Sequence, residues 1–280
     1  REIIHTLIQE NKFQAIQIDQ IKRYIAKKYK LDRFVKNSEI LEFGLKSTHL
    51  SSHQKEYLIQ TLQTRRVRTL SGIAVVAVMT APQPCPGRCI YCPEVKGAPK
   101  SYTGKEPAAL RGAQNEFIPR RQVEARLEQL QSIGHSLDKI HLVIMGGTFL
   151  ATPTDYQENF IKECLDGITM QNTLTLTEAK TKAETSVRRN VGITFETRPD
   201  YCTPVHVNRM LELGGTWCEI GVQTLSEDIL KYVQRHHTLD DVKNAIRYAR
   251  DGGLKVTLHL MPNLFQTPDQ DIQMFHELYN

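Results

Sequence analysis

Apolar positions follow two different rhythms along this chain. In the first sixty residues Ile3, Ile4, Leu7 and Ile8, then Ile16, Ile18, Ile21 and Ile25, recur at three- and four-residue steps, with basic side chains between them. That spacing puts one apolar stripe on a helix and predicts a helical region. Ser, Thr and His around Lys46–His53 predict a turn within it. Tyr24 and Tyr29 fall in the helical stretch, where packing against the stripe is the expected role.

The rhythm changes at Gly72. Gly72-Ile-Ala-Val-Val-Ala-Val-Met79 is a short, almost wholly apolar run rich in β-branched residues, which predicts a strand buried on both faces. Four similar runs follow, at 140–145, 192–196, 217–222 and 255–260. Amphipathic stretches at 121–133, 155–164, 175–189, 204–213 and 239–251 predict the intervening helices, with Gly134, Gly214-Gly215 and Gly252-Gly253 closing three of them. Strands alternating with helices of this length predict βαβ units and a parallel sheet. The expected fold class is therefore α/β, with a basic helical region over 1–66 and a strand–helix domain over 67–280.

In a barrel of this kind chemistry sits where the strands end. The residues after the five runs are Cys85 to Cys92, Gly146-Gly147-Thr148, Glu196-Thr-Arg198-Pro-Asp200, Gly221-Val-Gln223, and His259 to Met261-Pro262. Each group is polar or glycine-rich and directly follows an apolar run. In the first group Cys85, Cys89 and Cys92 are spaced to converge from one short loop. Structural zinc normally takes four protein ligands, whereas thiolates are the usual ligands of iron–sulfur clusters. Three cysteines without an evident fourth ligand point to a [4Fe–4S] cluster with one open iron. Cys164, Cys202 and Cys218 are scattered and expected to pack in the core.

Charge changes the picture only in the first quarter. The net charge is +5 over 280 residues, but residues 1–70 carry 14 Lys/Arg against 7 Asp/Glu and the remainder 22 against 24. Lys22, Arg23, Lys27, Lys28, Arg65, Arg66 and Arg68 form the densest basic groups. A local surplus of this kind suits a polyanion, and equally a solvated helix face. No apolar run approaches the roughly 20 residues that span a bilayer, and the first residues lack the apolar core of a signal peptide. Clustered rather than framework cysteines fit a reducing cytoplasm.

The cysteine loop after a first strand resembles the hallmark of the radical S-adenosylmethionine (SAM) superfamily. Gly146-Gly147 matches the glycine pair that receives the methionine end of SAM. Glu196 and Gln223 stand where members contact the cofactor's ribose or methionine moiety, and Tyr91 where an aromatic lies beside adenine. By the same motif position Arg198 is expected to hold the cofactor carboxylate bidentately, with Glu196 as an acidic partner for amine or hydroxyl, or to form a structural Glu–Arg pair at the strand end. The chain is further similar to the catalytic subunit of Elongator, a tRNA wobble-uridine modifying family. That similarity rests on 68–80, Ser101-Tyr-Thr-Gly-Lys-Glu-Pro-Ala108, Ile144-Met-Gly-Gly-Thr-Phe149, Glu196-Thr-Arg-Pro-Asp-Tyr-Cys202 and Glu219-Ile-Gly-Val-Gln223. It implies a partial (β/α)6-type barrel behind a basic N-terminal region that binds the tRNA anticodon stem-loop. It also implies cleavage of SAM to methionine and a 5′-deoxyadenosyl radical, with acetyl-CoA as co-substrate and 5-carboxymethyluridine as product. An acetyltransferase domain beyond Asn280 and a homodimer or other Elongator-type subunits are implied as partners, so the chain is expected to be a fragment.

The chain departs from the family pattern at Phe117-Ile-Pro-Arg120, at Arg235-His236-His237 in place of Arg-Gly-His, and at 261–267 in place of a Pro-Gly-rich turn. The cysteine loop by itself leaves other acceptors open, as in porphyrin-oxidase-like or methylthiotransferase-like enzymes, and a non-catalytic cluster-bearing tRNA-binding fragment.

Overall fold

A computed structural model describes residues 1–10 and 15–279; within these the side chains of Glu10, Ala15, Ile16 and Arg66 are not described. The chain divides into two compact units, one formed by 1–74 with 125–139, the other by 75–124 with 140–280.

In the first unit the apolar stripe becomes four helices: α1 (Glu2–Glu10), α2 (Ala15–Lys28), α3 (Asn37–Lys46) and α4 (Ser52–Leu62). Ile3, Ile4, Leu7, Ile18, Ile25, Ile40, Leu41, Leu58 and Leu62 are buried together as their shared core. The predicted turn lies between α3 and α4, where Ser51 starts α4. Its hydroxyl accepts from the Gln54 amide while the Gln54 side chain accepts from the Ser51 amide, satisfying two amides that a helix start leaves open. The expectation for Tyr24 and Tyr29 fails: both are more than half exposed. Tyr24 lies off the Ile18–Ile21–Ile25 stripe, and Tyr29 follows the end of α2, its hydroxyl donating to Glu2 Oε2 at 2.6 Å.

The second unit is built on β1 (Ala74–Met79), followed by α5 (Pro107–Gln114) and α6 (Pro119–Ser132), the latter crossing the boundary between units. It continues with β2 (Lys139–Met145), α7 (Thr154–Thr169), α8 (Leu176–Thr185), β3 (Arg189–Thr197), α9 (Pro204–Glu212) and β4 (Trp217–Gln223). Then come α10 (Glu227–Tyr232), α11 (Leu239–Asp251), β5 (Lys255–Leu260) and α12 (Pro268–Tyr279). Five strands among the described residues form one sheet in the order β1-β2-β3-β4-β5. β3 and β4 run parallel with Glu196 opposite Glu219, as do β4 and β5 with Gly221 opposite His259. Strand order without reversal is that of a singly wound barrel-type sheet, since a doubly wound sheet reverses at a switch point.

The strand runs are found close to where the apolar pattern puts them, while α5, α10 and α12 fall in stretches given no helix and α7 continues past 164 to Thr169. The helix predicted over 175–189 ends at Thr185, because Ser186 turns to extended backbone (ψ 158°) and Arg189 already begins β3. In β1, Val75 is half exposed. β1 ends the strand order and so has a sheet neighbour on one side only. Gly134, Gly214 and Gly253 take the left-handed turn that ends a helix.

Phe149, Phe160 and Phe195 fix the loop after β2. The rings of Phe149 and Phe195 stack at 5.6 Å and those of Phe149 and Phe160 meet at 5.4 Å. All three are essentially buried, each contributing about 2–3 kcal/mol of apolar burial. Gly146-Gly147-Thr148 is thereby tied to a rigid anchor.

Candidate active site

The ends of all five strands line one cavity of about 350 Å³, within the range of small-molecule sites. Cys85, Tyr91 and Cys92 enter it from the loop after β1, Gly147 and Thr148 from that after β2, and Glu196, Thr197 and Arg198 from β3. Glu219, Gly221 and Gln223 come from β4, and His259 and Met261 from β5. Cys89 faces an adjoining hollow that Cys85 and Cys92 also line.

Each cysteine sulfur has a polar neighbour. The Gly87 amide donates to Cys85 Sγ at 3.4 Å, and Thr148 Oγ1 lies 3.6 Å from the same sulfur. Ser101 Oγ lies 3.5 Å from Cys92 Sγ. Arg235 Nη1 donates to Cys89 Sγ at 3.5 Å, with Arg198 Nη1 at 4.0 Å. Hydrogen-bond donors around sulfur suit thiolates, and hydrogen bonds to ligand sulfurs tune iron–sulfur centres. Among the described residues no three His, Cys, Asp or Glu side chains close on a single metal-sized point. A cubane instead binds each cysteine to a separate iron, so three thiols along one loop, with donors at each sulfur, fit a cluster.

Gly146 has φ 118°, and a Cβ there would collide with the Thr80 hydroxyl, itself buried and donating to the Gly146 carbonyl at 3.2 Å. Glycine is required both by the backbone angle and by the close approach of β1 and β2. The Gly147 amide donates to the Lys100 carbonyl at 3.1 Å, holding the cysteine-loop segment against the glycine pair.

Arg198 is almost fully buried. Its Nε and Nη2 donate to the two oxygens of Asp200 at 2.9 and 2.8 Å, and Nη2 also donates to the Arg235 carbonyl at 2.8 Å. The fork suited to a ligand carboxylate thus holds Asp200, while Nη1 is turned toward the cysteine loop. Glu196 does not pair with Arg198: its Oε2 accepts from the Tyr102 hydroxyl at 2.9 Å. Burial raises the Glu196 pKa against the opposing pull of that hydrogen bond, and burial, then Glu196, raises that of Tyr102. Glu219 pairs with His259 at 3.2 Å and raises the imidazole pKa. Burial raises the Tyr91 phenol. Gln223 ends β4 at φ 74°, where the β4–β5 register shifts by one residue, and its carbonyl accepts from the Met261 amide at 2.8 Å. A non-glycine residue held left-handed at a cavity wall is strain of the kind found at functional sites.

Tyr102, Thr148, Asp200, Glu219 and Arg235 all lie in segments whose motifs the sequence displays, but spacing gave no role to these side chains. His236 has φ 61°, and Asn263 and Phe265 have φ 64° and 54°. With Phe117 at φ 53°, all three departures from the family pattern stand on left-handed backbone, where glycine would be unstrained.

The family model described as the Radical SAM superfamily matches residues 83–279, which contain this entire cavity. The chain belongs to the radical SAM superfamily. A second model, described as the ELP3 N-terminal domain, matches residues 1–70. The chain is 42% identical over its full length to the tRNA uridine(34) acetyltransferase of Methanocaldococcus jannaschii, covering 52% of that protein. It is 38% identical over 99% of its length to Elongator complex protein 3 of Schizosaccharomyces pombe, covering 53% of it. It spans about half the length of the curated relatives it matches. The solved archaeal Elp3 of Methanocaldococcus infernus, with its N-terminus deleted, superposes with TM-score 0.63 at 40% identity, over 75% of this chain and 42% of that one. As a radical SAM protein the chain is of an enzymatic class whose members use a [4Fe–4S] cluster and SAM.

The basic residues of the first unit divide in two. Arg23, Lys27, Lys28, Arg65 and Arg68 are exposed. Lys22 is mostly buried, bonded to Asn37 at 2.8 Å and paired with Asp19 at 3.0 Å. Lys28 pairs with Glu2 at 2.6 Å. The side chain of Arg66 lies outside the described part of the structure. No helix among the described residues is long and apolar enough to cross a membrane.

Proposed function

We propose that this chain is the radical-generating part of an enzyme that converts the wobble uridine of tRNA to 5-carboxymethyluridine. The observation that carries this reading is the cavity itself. Cys85 and Cys92 line it, with Cys89 in the adjoining hollow, together with Gly147, Glu196 and Gln223, in a chain similar along its whole length to tRNA uridine(34) acetyltransferases.

In this reading Cys85, Cys89 and Cys92 hold the [4Fe–4S] cluster, which supplies the electron for reductive cleavage of SAM. The Gly146-Gly147 backbone receives the methionine end of SAM, because no side chain blocks it there. Glu196 and Gln223 bind the amine, the ribose hydroxyls or both, and Tyr91 flanks adenine. Glu196 is partly buried with Oε2 already held by Tyr102, and its other oxygen favours a donor group, since leaving it unpaired is costly. Arg198, at the cavity wall, fixes Asp200 and faces Cys89. Arg23, Lys27, Lys28, Arg65, Arg66 and Arg68, with Lys22 as a structural support, bind the phosphates of the anticodon stem-loop, giving salt-dependent affinity. Acetyl-CoA supplies the two-carbon unit, and Elongator-type subunits or a second copy are the protein partners.

The test is anaerobic loading with iron and sulfide, then addition of SAM and dithionite. The reading expects 5′-deoxyadenosine, and a labelled anticodon stem-loop bound more weakly after Arg65→Ala/Arg68→Ala. Cluster uptake without 5′-deoxyadenosine would leave a non-catalytic protein. Turnover with tRNA binding unaffected by those substitutions would remove the basic patch from the tRNA reading.

A further inference from the structure

The three cysteines are unequal. Cys85 and Cys92 face the neutral hydroxyls of Thr148 and Ser101, and the Lys100 ammonium near them is already paired with Glu94. Cys89 faces two guanidinium groups, Arg235 at 3.5 Å and Arg198 at 4.0 Å.

Arg235 is the informative one. It is 9% exposed, and a guanidinium stays charged in any protein environment. Burying such a charge is costly unless an opposite charge is near. Arg198 has Asp200 for this purpose. Among the described residues no carboxylate pairs with Arg235: Nη2 donates to the Gly221 carbonyl at 2.8 Å, Nε is buried without a partner, and Nη1 points to Cys89. The atom among its partners that can carry a negative charge is the Cys89 sulfur. Its neighbours are built around this placement. The Arg235 carbonyl is held by Arg198, and the backbone amide donates to the Leu230 carbonyl at 2.9 Å, fixing the direction in which the side chain leaves the chain. His237, two residues on, is buried, with its pKa pushed down to about 4 by desolvation, then by Arg235. Kept neutral near pH 7, it adds no second positive charge beside the guanidinium.

Resting on the cluster reading above, we propose that Arg235, backed by Arg198, is the counter-charge of Cys89 and sets the reduction potential of the cluster, making the Cys89 corner its electropositive side. A fixed cation and N–H···S bonds stabilise the more negative, reduced form, and charge and hydrogen bonds at the sulfurs are among the main determinants of such potentials. The step concerned is the uptake of one electron, given in the test by dithionite. No bond at Cys89 is made or broken and Arg235 keeps its protons. Arg235 acts through Cys89 and is a positioning residue rather than a catalytic one.

The experiment is a redox titration, followed by electron paramagnetic resonance, of the 280-residue chain loaded anaerobically with iron and sulfide. Arg235→Gln removes the charge and Arg235→Lys keeps it. With equal iron and sulfide content, Arg235→Gln is expected to lower the reduced-to-oxidised ratio at a fixed potential about tenfold, about 59 mV for a one-electron couple. Arg235→Lys is expected to stay within about threefold of the unsubstituted protein, because it keeps the charge. A fully loaded Arg235→Gln protein titrating within twofold of the parent overturns the proposal. If Arg235→Gln fails to fold or load, the unsubstituted protein grown with 15N-labelled arginine decides. The reduced cluster is then expected to show a 15N hyperfine coupling across the N–H···S contact, and no coupling overturns the proposal. Failure of the parent protein to take up iron and sulfide would instead sink the cluster reading itself.

Discussion

Arg198 and Asp200 form a two-point ion pair, Nε to Oδ1 at 2.9 Å and Nη2 to Oδ2 at 2.8 Å, in the turn that follows β3. Only one residue separates them in sequence, and that residue is Pro199, which fixes its own φ and opens a 3-10 turn. The pair closes the turn, leaving Arg198 Nη1 to face the cysteine loop. Asp200→Ala removes the carboxylate and strands a buried guanidinium. The expected loss is about 2–3 kcal/mol, below the 3–5 typical of a fully buried pair because Asp200 is 28% exposed. Urea denaturation measures it, and a loss under about 0.5 kcal/mol would show that solvent or another group replaces Asp200.

Gly146→Ala is expected to disturb the site more than the fold. The added methyl meets the buried Thr80 hydroxyl, and φ 118° suits no side chain. Both effects push the β2 turn into the cavity. SAM binding, followed by isothermal calorimetry on cluster-loaded protein, should weaken at least about tenfold, with about 2 kcal/mol or more lost in stability. Gly147→Ala, with φ 64° and only Lys100 Cβ nearby at 3.7 Å, should cost less stability.

Gln223 sets stability against binding. Its φ of 74° costs about 1–2 kcal/mol in a non-glycine residue, and its side chain lines the cavity. Gln223→Gly should relieve that strain, partly offset by the greater freedom of glycine in the unfolded chain, for a net gain of up to about 1 kcal/mol. The same variant should bind SAM less tightly. A variant with lower stability and unchanged SAM affinity would contradict both halves of this argument.

The Glu219–His259 pair gives the site a pH dependence of known sign. The hydrogen bond to Glu219 raises the His259 pKa above 6.5, with burial opposing it. A raised folded-state pKa means that the pair's stabilisation is complete below the unfolded value near 6.5 and is lost as pH rises through the folded one. Since His259 is 46% exposed, the effect is modest. His259→Gln should therefore lose more stability at pH 6 than at pH 8.5, and Glu219→Gln should return the His259 titration, followed by NMR, toward 6.5. A His259 titration unmoved by Glu219→Gln would exclude the pair as its cause.

Most of the second unit is legible in sequence because strand and helix periods are local. The apolar runs at 140–145, 217–222 and 255–260 became β2, β4 and β5 nearly residue for residue, and the cysteine loop falls where the first run ends. The end of α8 was not legible, since Ser186–Arg188 lack a strong stop signal and β3 gains its first residues from pairing. Nor was the exposure of Tyr24 and Tyr29, because a helical stripe says which face is buried only once its partners α1, α3 and α4 are placed.

The sequence by itself determined the alternation of strands and helices, the three-cysteine loop, the glycine turn and the basic N-terminal quarter, all carried by neighbours within a few positions. Only the tertiary structure decided what each side chain faces. Arg198 holds Asp200 rather than Glu196; Glu196 takes Tyr102, 94 positions away; and Cys89 meets Arg235, 146 positions away. The physical reason is that a charge or thiol is satisfied by whatever the parallel winding brings to the same ends of the strands, and distance along the chain does not record that.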